Sequence, residues 1–527
     1  MAQRRHNFIS GAAVLALAVA VTKVLGALYK IPLGNLLDKE GMAHFYAAYN
    51  IYNLLLVLST AGLPLALSRL VSRAAAQGRR NAQRCIFRTA LALLAVIGAV
   101  CSAVMCLFPQ VLSGLLHDSL AAPAIRTLGP AVLFVCLTSA IRGYTQGLGD
   151  MTPTAVSQMT ESAGKLVIGL ALCLVLLHRG ADSSLCAAGA IAGVTAGSLL
   201  SLTVLTVFLL RRRDRAAVDV PPARSAVLRE LLTVGIPITL GAAGMSLITL
   251  LDQALVMSTL QNTLGYTEAA ATALYGEYTF GMTLFALPPS FIYPVTVSLV
   301  PDISAALARS DRPAAGRSAA AALKLTTLIA LPTGAGLSVL AGPILRLLYP
   351  AVPDTAAAAA YHLTILGIAC IFVCLMVATN GVLQAYGKEY IPVVTLLCGG
   401  ILKIITNYLM VGDPATNVRG APVSTLYCYG LIVVLNLIAI ARCVPERPSY
   451  LRLFARPVLI TAVMALAARS SYGLLSRSLP ERWAVLPAIA VAVVVYGVLV
   501  LALGAVTRQD VLDLPKGEKI ARMLHLH

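Results

Sequence analysis

The chain has 527 residues, of which 58% are hydrophobic and only 12% charged, where a soluble domain carries about a quarter charged residues. That excludes a soluble globular protein and points to a chain threaded many times through a bilayer. The formal charge of +18, from 40 basic and 22 acidic side chains, sits mostly in the loops. Positive cytoplasmic loops of a membrane protein account for it without nucleic acid as a partner.

A crossing needs about 20 apolar residues. In chain order such segments fall near 8–30, 45–71, 86–108, 123–147, 153–177, 185–210, 229–259 and 272–300, then near 319–348, 361–386, 391–410, 421–442, 457–476 and 484–505. The fold class expected is therefore an all-α polytopic membrane protein with about fourteen transmembrane helices. The first segment continues apolar past Lys23 to Tyr29 without a cleavage boundary before Pro32. It is read as a retained helix rather than a signal peptide. Basic residues then mark one side of the membrane: Arg4 and Arg5, then Arg73, Arg79, Arg80 and Arg84, then Arg211, Arg212, Arg213 and Arg215. The same side receives Arg309, Arg312 and Arg317, then Arg442, Arg447, Arg452 and Arg456, and finally Lys516, Lys519 and Arg522. The expectation is a multi-pass protein of the cell membrane with both termini cytoplasmic.

The chain repeats itself. Gly143, Gln146, Gly149 and Lys165 match Gly381, Gln384, Gly387 and Lys403 at an offset of 238 residues. Tyr46 and Tyr49 match Tyr275 and Tyr278, and Pro64 and Ser68 match Pro294 and Ser298. Six helices per copy leave both copies starting on the same side, so the repeats are parallel, about an axis along the membrane normal. The expected organisation is a six-helix lobe over 1–220, a second over 221–445, and two additional helices with a basic tail over 446–527. The polar run 211–222 links the lobes. Gly and Pro mark candidate breaks at Gly62-Leu63-Pro64, Gly235-Ile236-Pro237, Pro288-Pro289 and Gly334-Ala335-Gly336. The eleven cysteines form no C-x-x-C pair and no ligand cluster. They read as small packing residues, with no metal and no cofactor expected.

Charges within the spans cost roughly 2.5–3.5 kcal/mol each at the bilayer centre, so each needs a reason. The cations are Lys23 and Lys30 of the first helix, Lys165 of the fifth and Lys403 of the eleventh; the acids are Glu161, Asp252 and Glu277. Glu161 and Lys165 stand four residues apart and can pair on one helix face. Lys23 and Lys403 have no acid one turn away. Arg69 and Arg142, near inner helix ends, are expected to snorkel to the headgroups. Cations without local partners suggest a wet, electropositive chamber between the halves, suited to phosphate.

The stretch Arg142–Lys165, RGYTQGLGDMTPTAVSQMTESAGK, carries a helical hairpin. It turns over at Gly149, with Thr152 as N-cap and Pro153 at the first helical position of the next helix. Helix propensity does not demand Arg142, Gly143, Gln146, Thr152, Pro153, Gln158 and Glu161 in this order. The run resembles a signature of the multidrug/oligosaccharidyl-lipid/polysaccharide (MOP) flippase superfamily, in the branch of stage V sporulation protein B and related lipid II flippases. That resemblance implies two six-helix lobes around a central cavity, with the last two helices helping to form a groove for a lipid tail. It implies a flippase for an undecaprenyl-pyrophosphate-linked saccharide, acting by alternating access in peptidoglycan, spore-cortex or polysaccharide synthesis. The partners would be that lipid-linked saccharide, membrane lipids and a coupling cation, Na+ or H+. Lys23, Lys30, Lys165 and Lys403 would face the substrate, and Glu161, Asp252 and Glu277 would serve as charge partners or coupling groups. A multidrug organic-cation antiporter of the same superfamily is the alternative. No motif pairs a nucleophile with a base, and an enzyme is not expected.

Overall fold

Apolar segments that must satisfy every backbone N–H and C=O inside a bilayer fold as helices. In the computed structural model, which describes residues 2–211, 219–444 and 449–505, all regular structure is helical. Arg212, Arg213, Arg215, Arg447, Lys516, Lys519 and Arg522 lie outside the described residues, as do the side chains of Arg4, Arg5, Pro294, Ser298 and Arg452. Twelve helices among the described residues are long and apolar enough to cross a membrane. The two remaining predicted spans, 8–30 and 272–300, are helical as well. The chain is an all-α polytopic membrane protein.

It divides into two compact units. The first comprises residues 1–279 and 407–418. It contains α1 (Ala2–Leu36), α2 (Lys39–Thr60), α3 (Leu63–Ala76), α4 (Arg80–Leu107), α5 (Pro109–Leu115), α6 (Ala122–Gly147), α7 (Thr152–His178), α8 (Ser183–Arg211), α9 (Arg224–Ser258) and the first part of α10 (Glu268–Phe285). The second unit, 280–406 and 419–527, contains α11 (Leu287–Ala308), α12 (Arg312–Val339), α13 (Ala341–Leu348), α14 (Pro353–Ala385), most of α15 (Tyr390–Val411), α16 (Gly420–Cys443), α17 (Tyr450–Leu475) and α18 (Glu481–Ala502).

Local chemistry sets several of these ends. Asp38, Asp182 and Asp311 accept from backbone N–H groups three residues on, those of Gly41, Leu185 and Ala314, at 2.7, 3.0 and 3.0 Å. Each carboxylate satisfies one orphan donor at the start of α2, α8 or α12. Large apolar side chains that a soluble protein would bury stay exposed along α4, α7, α17 and α18, among them Val96, Val167, Leu466 and Val493. They face where lipid would be.

The candidate breaks behave differently from one another. Gly62-Leu63-Pro64 does interrupt its span, ending α2 at Thr60 and starting α3 at Leu63. The freed Gly62 N–H donates to Thr239 Oγ1 of α9 at 3.1 Å. A Cβ on Gly62 would stand 2.0 Å from Gly235 O, so the first motif packs directly on Gly235-Ile236-Pro237. That second motif leaves α9 continuous, as Gly334-Ala335-Gly336 leaves α12. Pro288-Pro289 sits just after the break between α10 and α11, at the first turn of α11. Proline is tolerated there because those N–H groups have no intrahelical acceptor.

Candidate functional site

The site grows from the α6–α7 hairpin. Gly149 has φ +85°, and its repeat equivalent Gly387 has φ +71°. Asp150 N donates to Thr145 O at 3.0 Å, and Lys388 N to Leu383 O at 2.9 Å. Both turns are thus Schellman-type C-caps, which need a residue at positive φ. The start of α7 differs from the expected one: the helix begins at Thr152 rather than at Pro153, and Thr152 does not cap it. Asp150 Oδ1 accepts from Thr152 N at 3.1 Å instead, because a carboxylate two residues ahead closes the turn locally. Gln146 Nε2 ties the helices together by donating to Thr154 Oγ1 at 3.2 Å. Pro153 is buried, and Gly143 lets α6 approach α3 closely, since a Cβ there would lie 2.7 Å from Pro64 O.

Arg142 does not snorkel. Its Nε donates to Ser157 Oγ at 2.9 Å, and its Nη2 donates to Glu161 Oε2 at 2.9 Å and Ser201 Oγ at 3.0 Å. One guanidinium on α6 therefore holds α7 and α8. Its side chain is 13% exposed and that of Glu161 25%. Glu161 lies roughly 14 Å along α7 from its start, deep enough that a planar fork of donors is a better partner than water is. This overturns the pairing of Glu161 with Lys165. The geometric cause is that Arg142 reaches Glu161 from the facing helix.

Lys165, released from that pairing, turns to aromatic rings. Its Nζ lies 5.6 Å from the ring centre of Tyr29 and 5.8 Å from that of Tyr49. Lys30 Nζ lies 4.7 Å from the ring of Tyr46 and 5.2 Å from that of Tyr49, and donates to Tyr46 Oη at 3.3 Å. Phe45 stacks on Tyr49, with ring centres 5.7 Å apart. Tyr29 donates to Ala190 O at 2.8 Å and so is fixed against α8. Two ammonium groups and three tyrosines of α1, α2 and α7 thus form one cluster. Lys23 is exposed on α1, with its charge in range of Tyr49. Among the described residues no carboxylate lies within ion-pair distance of Lys23, Lys30 or Lys165.

Residues 8–307, more than half of the chain, match the polysaccharide biosynthesis protein family. The chain belongs to that family. Residues 237–409 also match the MatE family. The chain is 26% identical to the uncharacterized membrane protein YabM of Bacillus subtilis over 99% of its own length and 97% of that protein's. It is 24% identical to stage V sporulation protein B of the same organism, covering 84% of this chain and 85% of the relative. To lipid II flippase MurJ of B. subtilis it is 24% identical, over 88% of each. A structure of lipid II flippase MurJ in an inward closed conformation superposes with TM-score 0.71 at 14% identity, over 94% of this chain and 98% of that one. An inward-facing multidrug resistance MATE transporter of the MOP superfamily superposes with TM-score 0.65 at 15% identity, over 84% and 98%. This member of the polysaccharide biosynthesis protein family is a multi-pass membrane protein that shares the fold of these solved transporters.

The remaining sequence candidates of this family member are spoken for. Asp252 is buried and accepts from Asn407 Nδ2 at 2.7 Å, while the neighbouring Gln253 accepts from Asn50 Nδ2 at 2.7 Å. Glu277 pairs with Lys39 at 3.2 Å. Lys403 is 5% exposed and engaged in an interaction of its own. It is a buried, partnered cation, where the sequence alone suggested an unpartnered one. Gln158 keeps a buried Oε1 with no hydrogen-bond partner, so the motif retains one unspent acceptor near the α7 clamp. Sequence reasoning missed a second buried pair, His44 Nδ1 with Asp118 at 2.7 Å, 2% and 1% exposed. The two residues are 74 positions apart, and no spacing rule connects them. Nor did it single out Tyr29, Tyr46 and Tyr49 as partners for lysine, although Tyr46 and Tyr49 already stood out in the internal repeat.

Proposed function

We propose that the protein is a flippase moving an undecaprenyl-pyrophosphate-linked saccharide precursor, lipid II or a related polysaccharide precursor, from the inner to the outer leaflet of the cell membrane. The observation that carries this reading is the charge left on Lys165. Arg142 takes Glu161, the carboxylate on that face of α7, and Lys165 and Lys30 keep their charges among tyrosine rings. Ammonium groups held without carboxylates in a partly dry site favour an anion, and pyrophosphate is the dense anion of a lipid-linked sugar. Lys23, exposed on the same helix as Lys30, would extend the anion path along α1. The sequence homology to lipid II flippase MurJ and to stage V sporulation protein B supports the same substrate class. In this reading the lobes 1–220 and 221–445 alternate in access, helices of 446–527 serve the lipid chain, both termini are cytoplasmic, and Na+ or H+ drives the cycle. Asp252, Glu277 and Lys403 would then act in holding or coupling the states rather than in reading the saccharide.

Depletion of the protein should make a lipid-linked saccharide accumulate in the inner leaflet. Lys165→Glu and Lys23→Glu should fail to restore transport, while the arginine variants should restore part of it, because charge survives and geometry changes. Full restoration by both glutamate variants would overturn the anion assignment. The match to the MatE family and the fold shared with a multidrug transporter favour a second reading, an organic-cation antiporter. It predicts that depletion raises organic cations inside the cell and leaves lipid-linked saccharides unchanged.

A further inference from the structure

Residues 117–119, in the connection between α5 and α6, are held in succession by three other parts of the first unit. The His117 carbonyl accepts at 2.7 Å from Gln261 Nε2, in the turn Thr259–Thr263 that follows α9. Asp118 Oδ1 lies 2.7 Å from His44 Nδ1 of α2. Ser119 donates through both N and Oγ to Glu268 Oε1 of α10, each at 2.5 Å. The backbone between these ties is fixed as well: His117 holds φ +54°, and Asp118 N donates to Ser113 O at 3.1 Å. The central tie differs from the other two. His44 and Asp118 are both buried, and Asp118 Oδ2 has no hydrogen-bond partner. Among the described residues no lysine or arginine lies within ion-pair distance of Asp118.

The His44–Asp118 hydrogen bond itself takes one hydrogen, on the imidazole or on the carboxyl group. With that hydrogen alone the pair carries a net negative charge, buried beside an unpartnered oxygen. With a second proton it is neutral overall. A buried uncompensated charge is costly, so the closed contact and the second proton stabilise each other. We propose that His44 and Asp118 bind the proton that couples to transport, and that this proton locks residues 117–119 to α2, to the end of α9 and to α10. The inference rests on the two-lobe reading proposed above. There 117–119 and α2 belong to the first lobe, Gln261 and Glu268 belong to the second, and parting them on the outer side breaks these ties. Most charged groups at this end of the surrounding elements are already engaged. Asp38 and Asp182 accept from Gly41 N and Leu185 N, Lys39 pairs with Glu277, Glu268 holds Ser119, and Asp252 accepts from Asn407. Glu40, Arg126, the thiols Cys106 and Cys186, the phenols Tyr46 and Tyr275, and the ring of His117 remain. Of these side-chain types only histidine changes charge between about pH 5 and 8, which makes His117 the rival to test.

The test is double electron–electron resonance on the full-length protein in lipid nanodiscs, without substrate. Spin labels go on cysteines replacing Leu120 and Tyr266, exposed positions on either side of the contact, in an otherwise cysteine-free background. As pH rises from about 5 to about 8, the distance should pass from a short to a long population. Their ratio should change by up to about tenfold per pH unit, the limit for one proton. Asp118→Asn, neutral without a proton, should stay short at every pH. His44→Gln leaves the carboxylate alone and should stay long. His117→Asn, which accepts the positive φ, should keep the step. Glu268→Gln should keep it too, with more of the long population throughout. Where Asp118→Asn yields no folded protein, His44→Gln carries the same test. Distances independent of pH in the wild type, or a step that survives in His44→Gln or Asp118→Asn, would overturn the proposal. So would loss of the step in His117→Asn, or a response to Na+ in place of pH. Because no substrate is present, failure of the saccharide reading in the depletion experiment leaves this readout unaffected.

Discussion

Replacing Arg142 with alanine removes three hydrogen bonds at once and leaves Glu161 without its cation. Ser157 does not become an orphan, since its Oγ already donates to Thr154 O at 2.9 Å. The cost therefore falls mainly on the Glu161 carboxylate, with the buried Ser201 hydroxyl losing its bond to Arg142 as well. Breaking a buried pair by deleting one partner costs roughly 3–5 kcal/mol, and a carboxylate that keeps a quarter of its surface belongs near the lower end, about 3 kcal/mol. For a unit of this size each kilocalorie moves the melting temperature by about 2 °C, so Arg142→Ala should melt about 6 °C below wild type in detergent. A second effect follows from spacing. With Arg142 gone, Glu161 can turn to Lys165 one helical turn away and neutralise it, so transport should fall beyond what the lost folded protein explains. Arg142→Ala with Glu161→Gln should then recover both melting and part of the transport. Arg142→Lys should lie between, keeping charge without the planar fork. Wild-type melting in Arg142→Ala, or no recovery in the double variant, would refute the clamp and the competition for Glu161 behind it.

Gly149→Val and Gly387→Val should each lower the yield of folded protein, since a non-glycine residue held at positive φ costs about 1–3 kcal/mol. A Cβ at either position meets nothing within 4 Å, so asparagine, which accepts that φ, should be tolerated; equal yields for valine and asparagine would remove the backbone argument. In a cysteine-free background, cysteines replacing Gln77 and Arg309 should be protected from an impermeant thiol reagent in intact cells. Cysteines replacing Ala415 and Ser478 should label, and the reverse pattern would invert the orientation. Asp219 accepts from Asn81 N at 2.8 Å and Ala82 N at 3.0 Å, tying the linker to the first turn of α4. Desolvation pushes its pKa up, but those two N–H groups and the Arg79 charge outweigh it and hold it below the ordinary 3.8. A depressed folded pKa contributes above the unfolded value and is lost as pH falls through the folded one. Amide exchange at Asn81 and Ala82, corrected for its intrinsic rate, should thus stay slow at neutral pH and accelerate only below 3.8. The Asp219→Asn variant should exchange with no such acid step.

Local backbone rules reached a good deal of this protein. Long apolar runs have few ways to satisfy their peptide groups in a membrane, so helical class and span positions followed from composition and length. Gly149 and Gly387 could be read as positive-φ turns because the requirement is met within six residues of chain. The deep lysines and acids could be named as costly, since the bilayer penalises any charge. Which charge met which was decided by the fold. Glu161 had Lys165 at helical spacing on its own helix, yet Arg142, nineteen positions away on α6, won it by arriving from the facing helix with a fork of donors. The same packing sent Lys165 to Tyr29 and Tyr49 and brought His44 to Asp118. Sequence spacing measures distance along one helix. Ion pairs and cation–π contacts depend on the few ångströms between helices, and only tertiary packing sets those.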